Sequence, residues 1–600
     1  MKSRFTLIVA IASILLLPIF FGSMALAAVQ DPAPDKILVN GKIVTVDKNF
    51  SIVEAVAVKD GRFVGVGSNQ EIGSLAGPST EVIDLRGKTV VPGFIDGHAH
   101  MDREGLKFAY PSLDGVRSID DILKVIEREV QTKKPGEWVV TMPIGDYPFF
   151  SNVPGILKEK RFPTRRDLDK VSPNNPVYIR SIWGYWDKPP IASIANSYAL
   201  RLAGITRDTQ PPYDGITIEK DPATGEPTGV ISEKSFVPSV EFSLMKVVPR
   251  FTHEIRVAGL KESMKRYNAV GTTSTYEGHG ISSEVIRAYK ELWAKGELTV
   301  RSHLLISPTP GKAVKPDLDE MFRDWAAYAD GPGFGDDMLR ISGIFLQSGG
   351  SPHVARLRIG EVPYTAWAAY YVDAPTPEQF RNTAEVSAKY GLRVNAITAD
   401  QKSLDATLAA YEDVNKTFSL PGRRWVVEHL LEVTPKNIEQ MKQLGVIPTV
   451  IPTKQVSISG IARLKTMPQE KQANLAPYKS MIEAGLPLVL ASDNVPINPF
   501  NTLWAAVARK DWQSGELCTP AEKLSREQAL RAMTINGAYL SFQENVKGSI
   551  EKGKYADLAV LNKDYLTVPE DEIRDIKVLM TIVGGKIVHR TGESMAMSDR

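Results

Sequence analysis

The chain has 600 residues. A single core stops growing at roughly 250–300 residues, so a large domain and at least one smaller one are expected. Apolar residues at 43% and charged residues at 24% exclude global disorder. A formal net charge of +2 speaks against a dedicated nucleic-acid binder, and the lone Cys518 excludes an internal disulfide or a Cys/His zinc finger.

Residues 1–27 read as an export signal: Lys2 and Arg4 open it, an apolar run follows, and Ala25-Leu26-Ala27 gives a small-x-small cleavage site. The competing reading is a retained membrane anchor, because the run approaches a bilayer span. Removing Lys2 and Arg4 leaves 70 basic and 70 acidic residues. An exported, periplasmic protein is the expectation. Residues 36–90 alternate apolar and polar positions around Asn40-Gly41 and Asp60-Gly61, which are hairpin signals, so a small antiparallel β unit is predicted. Residues 547–592 look alike, with Gly584-Gly585 at the turn. A lone hairpin is only marginally stable, so the two ends are expected to share one sandwich.

Between them, eight apolar runs alternate with helical patterns: VVPGFIDGHAH, GTTSTYEG, LTVRSHLLI, LRISGIFL, LRVNAIT, RRWVVEHL, GVIPTVIP and LPLVLASD. Helical stretches such as TPEQFRNTAEVSAKYG and TPKNIEQMKQLG open on Thr and close on Gly, as helix starts and stops do. Eightfold strand–helix alternation predicts an α/β fold, a (β/α)8 TIM barrel. Its first strand falls at 91–104 and its remainder at 251–546. Residues 105–250 are too many for a loop and predict an inserted subdomain. Its aromatic residues Trp138, Tyr147, Phe149, Phe150, Trp183, Tyr185 and Trp186 form either that subdomain's core or an apolar wall for a substrate.

His98 and His100 end the first strand two residues apart, so both side chains face the same way and can reach one ion. Asp96 shares that face and could orient a ligand from behind. His429 ends RRWVVEH and Asp493 ends LPLVLASD, at the strand tips where barrel enzymes build their sites. Singly, each has a bland alternative: a rim histidine or a helix cap. Together the four offer N, N, N and O donors, a set that suits Zn²⁺ or a similar ion. Such an ion lowers the pKa of a water and polarises a carbonyl. Asp493 could then take a proton and pass it to a leaving nitrogen, with His429 beside it. His279 and Glu277 could also line the pocket. His253, His303 and His353 have no evident partners, and His589 reads as structural.

These motifs, with PTRRDLDKVSPNNPVYI, TGEPTGVISE, LASDNVPINPFNTLWAAVAR and GSIEKGKYADLAVL, make the chain resemble the amidohydrolase superfamily. Within it the match is to the family-3 branch, which includes N-substituted formamide deformylase. The resemblance implies a metal-dependent hydrolase of non-peptide C–N bonds, with His98, His100, His429 and Asp493 as ligands and Asp493 also accepting a proton. Two positions depart from the family pattern. Asn395 stands where the fifth strand usually offers a histidine, and Phe345 where the fourth often offers a bridging lysine. Neither is a good ligand, so one ion rather than two is expected. Tyr185 replaces a histidine often found facing the substrate. The alternative is a degenerate, catalytically weak or inactive member that binds a small molecule. The sequence assigns no substrate-binding residue. It implies a small-molecule substrate, no nucleic acid and no membrane once the signal is gone, and it leaves oligomerisation open.

Overall fold

The eight apolar runs form parallel strands, as expected of segments buried on both faces. They are β1 (Phe94–Ala99), β2 (Thr272–Glu277), β3 (Arg301–Ile306), β4 (Leu339–Gln347), β5 (Val394–Ile397), β6 (Val426–Glu428), β7 (Ile447–Val450) and β8 (Val489–Leu490). Each pairs in parallel with the next. The ring closes through the backbone: Asp493 N donates to His98 O at 3.0 Å. The computed structural model describes residues 33–182, 190–235, 238–308, 315–349, 353 and 376–592. The leader, Trp183, Tyr185 and Trp186 lie outside them.

Local signals set the outer helices. Helix Pro435–Leu444 starts on a Thr434/Asn437 capping box with Pro435 in its first turn, and stops on Gly445 at φ 65°. Helices Pro377–Lys389 and Gln401–Asn415 start on equivalent boxes at Thr376 and Asp400. Their apolar faces join the barrel in one core that includes Phe380, Leu408, Tyr411, Trp425 and Met441.

The two chain ends share a sheet. Strand Leu558–Leu561 runs antiparallel to Thr89–Pro92, and strands Val578–Val583 and Lys586–Arg590 extend it. A second, four-stranded sheet packs on it through Leu38, Val56, Phe63, Val90, Leu558 and Ile582. Asp60-Gly61 and Gly584-Gly585 do form two-residue hairpins, with Lys59 opposite Arg62 and Val583 opposite Lys586. Asn40-Gly41 does not. Lys36–Val39 and Lys42–Val44 lie in different sheets, each pairing in parallel with a later strand. Asn40, at φ 57°, turns the chain from one sheet to the other. The N-terminal unit is therefore mixed rather than antiparallel.

A five-stranded sheet between β1 and β2 carries Val139–Thr141, Val177–Ile179, Ile191–Ala195, Ile216–Lys220 and Pro227–Glu233. Ile191 of this sheet and Phe150 and Phe242 of the loops around it cluster with Phe345 and Val495 of the barrel. The insertion thus presses apolar side chains toward the end of the barrel where β1, β6 and β8 finish.

Candidate metal centre at the barrel mouth

His98, His100, His429 and Asp493 meet at the C-terminal ends of β1, β6 and β8. Asp493 Oδ1 lies 2.7 Å from His100 Nε2 and 3.6 Å from His98 Nε2, and its Oδ2 lies 3.2 Å from His429 Nε2. The Nε2 atoms of His98 and His429 are 3.3 Å apart. Any two ligands 2.0–2.1 Å from a tetrahedral zinc stand about 3.3 Å apart. Three of these separations are close to that value. The donor set and its spacing fit a divalent cation.

Two of the four residues sit in the left-handed backbone region, His429 at φ 62° and Asp493 at φ 51°, and Asn494 follows at φ 58°. Such conformations cost a non-glycine residue on the order of 1–3 kcal/mol and cluster at functional sites. Here they turn two side chains inward from the strand tips.

The surroundings hold the rings. Glu428 Oε1 lies 3.0 Å from His98 Nδ1. A carboxylate only accepts, so Nδ1 carries a proton and Nε2 faces the centre. Burial would push His98 down, but Glu428 and Asp493 outweigh it and lift its pKa to about 9. Burial and then Arg103, whose Nη2 is 3.1 Å from His100 Nδ1, drive His100 well below its ordinary value. Burial would raise Asp493, yet His98, then hydrogen bonds from His100 and His429, hold it well below the carboxylate range. Asn494 brackets His100, accepting from its N–H at 3.1 Å and donating to its carbonyl at 2.9 Å. Asp96 reaches no ligand ring. It accepts from the backbone of His98 and Ser492, stitching β1 to β8, and burial raises it to about 6.

His279 also belongs here, with its ring 4.4 Å from His100 and 4.9 Å from His98. Glu277 lies 4.0 Å from His100 Nδ1 and accepts from Met101 N–H and the Tyr289 hydroxyl, a buttress behind the ring. Asn395 is buried and turned to the backbone: its Nδ2 donates to Gly278 O at 2.7 Å. Phe345 packs against the His279 ring at 5.4 Å. Three other histidines do have partners: His253 with Glu291 at 2.6 Å, His303 with Arg393 at 2.9 Å, and His353 stacked on Tyr213 with ring centroids 5.8 Å apart. Glu428 is legible in the sequence only as a carboxylate ending the apolar run VVE. Arg103 and Asn494 carried no comparable signal.

A profile described as amidohydrolase family matches residues 81–589. The chain belongs to that family. N-substituted formamide deformylase of Arthrobacter pascens is 29% identical over 576 residues, covering 93% of this chain and 99% of the deformylase. Putative amidohydrolase YtcJ of Bacillus subtilis is 26% identical over 561 residues, covering 92% of this chain and 98% of that one. An uncharacterized metal-dependent hydrolase from Pyrococcus horikoshii shares the fold, with a TM-score of 0.64 at 22% identity over 89% of this chain and 99% of its own. In this member of the family the strand-tip residues thus lie together at the mouth of the barrel.

Proposed function

We propose that this protein is an exported, metal-dependent amidohydrolase that hydrolyses a non-peptide C–N bond of a small molecule. The observation that carries the proposal is the placement of Asp493 2.7–3.6 Å from His98, His100 and His429 at the barrel mouth, with His98 and His429 3.3 Å apart. The donors suit zinc, and Asn395 and Phe345 favour one ion over two. When bound, such an ion activates water near neutral pH and polarises the scissile carbonyl.

The chain's own groups do the rest. Asp493 is ionised across the neutral range and can only accept, so it receives a proton and returns it to the leaving nitrogen. His429 is the least buried of the four, with 14% of its side chain exposed, and faces the approaching substrate. Phe150, Phe242, Phe345 and Val495 make the adjoining wall apolar, which favours a substrate with an apolar substituent. The formamide chemistry in the Arthrobacter relative's name makes N-substituted formamides the first class to screen.

Residues 1–27 have the composition of a cleaved leader, and no helix among the described residues is long and apolar enough to cross a membrane. N-terminal sequencing of protein from the periplasmic fraction should start just after Ala27. A start at Met1 would refute export by cleavage.

Asn395 and Phe345 also support the alternative, a weak or inactive small-molecule binder. A screen of formamides, amides, lactams and N-acyl amino acids separates the two. Turnover that disappears in His100→Ala supports the enzyme. Binding without turnover supports the alternative.

A further inference from the structure

We infer that His279 is a further metal ligand of this centre, seated by Asn395 and Phe345. The inference rests on the metal-dependent reading above and adds to it a donor from the end of β2. His279 is buried, and its ring lies 4.4 Å from His100, 4.9 Å from His98 and 5.8 Å from His429. One ring nitrogen each from His98, His100 and His279 can be chosen so that all three lie within 4.8 Å of one another.

The neighbours of His279 explain how it gets there. Gly278 brings the end of β2 against His98: a Cβ on it would fall 2.1 Å from His98 Nδ1. Asn395 Nδ2 donates to Gly278 O at 2.7 Å, and the Tyr276 hydroxyl donates to Asn395 Oδ1 at 3.3 Å. The Asn395 amide is thereby committed at both ends, and it pins the backbone one residue before His279. Phe345 pairs with Asn395 across β4 and β5 and lays its ring 5.4 Å from that of His279. Gly280, at φ +63°, lets the chain turn away close to Phe345. Strands β4 and β5 therefore supply no ligand of their own, and two of their side chains form the seat for one from β2.

The test is Co²⁺ titration of the metal-stripped wild type, His279→Gln, His279→Gly and His98→Ala, read by affinity and by the visible absorption of the bound cobalt. His279→Gln should bind cobalt about 10–100-fold more weakly with a shifted spectrum, taking as a floor the loss typical of an outer-sphere partner. Adding imidazole to His279→Gly should restore the wild-type spectrum, which a misfolded protein cannot do. Unchanged affinity and spectrum in His279→Gln, with binding lost in His98→Ala, would overturn the inference and leave the metal-dependent reading standing. A wild type that binds no cobalt would remove both.

Discussion

Glu428 Oε1 lies 3.0 Å from His98 Nδ1, and neither side chain has any exposed surface. The carboxylate orients the ring and leaves Nε2 pointing at Asp493 and His429. Partners of this kind are typically worth 10–100-fold in metal affinity. Glu428→Gln keeps the shape and an acceptor but loses the charge, and should weaken binding about 10-fold. Glu428→Leu loses both and should cost about 100-fold. Competition against a chelator measures each, and wild-type affinity in the leucine variant would contradict this role.

Gly278→Ala should damage the centre without replacing any ligand. The added methyl would sit 2.1 Å from His98 Nδ1, so the strand end or the ring must move. Overpacking of this sort costs about 1–3 kcal/mol. Denaturant unfolding of the metal-free protein should show that loss, and metal content should fall with it. Wild-type values for both would show that the site has slack the structure does not suggest.

Arg301 ties the barrel to the terminal sheets. From β3 it reaches Asp557 with two bonds, Nε to Oδ2 at 2.7 Å and Nη2 to Oδ1 at 3.0 Å, and both residues are buried. Removing one partner of a buried pair strands the other charge, at a cost of about 3–5 kcal/mol. Arg301→Met should be destabilised by that order, and the double variant with Asp557→Leu should recover much of it. Additive losses in the double variant would contradict the coupling.

Lys547 gives a pH signature. It is buried, donates to Ser274 Oγ at 3.0 Å, and burial followed by Arg301 lowers its pKa from 10.5 to about 7. Between pH 7 and 10.5 the unfolded chain holds this proton more tightly than the folded one. Its contribution to stability is therefore full above about 10.5 and lost as pH falls through about 7. Lys547→Met should be the more stable protein near pH 7 by a few kcal/mol, at roughly 1.4 kcal/mol per pKa unit, and the gap should close toward pH 10. Chemical denaturation at pH 7, 8.5 and 10 checks this. A gap that does not change with pH would show that Lys547 keeps an ordinary pKa.

The barrel was legible because its eight strands are apolar on both faces, and a run such as LPLVLASD cannot be a surface strand. His98 and His100 were legible as a pair because strand geometry puts alternate residues on one side. Asn40-Gly41 misled because the same dipeptide serves a hairpin or a change of sheet, and only pairing with distant strands decides between them. His279 and Asn395 could not be linked from the sequence: 116 positions separate them, and their relationship lies in where β2 and β5 end. Glu428 is masked in the sequence by its neighbour His429, although a carboxylate closing an apolar strand inside a barrel needs a partner.

The most direct test is the metal content of the purified protein after metal-replete expression, beside His98→Ala and Asp493→Ala. One equivalent of a divalent ion in the wild type, falling to near zero in both variants, is the predicted result. A wild type without a bound ion, or variants that keep a full equivalent, would contradict the account.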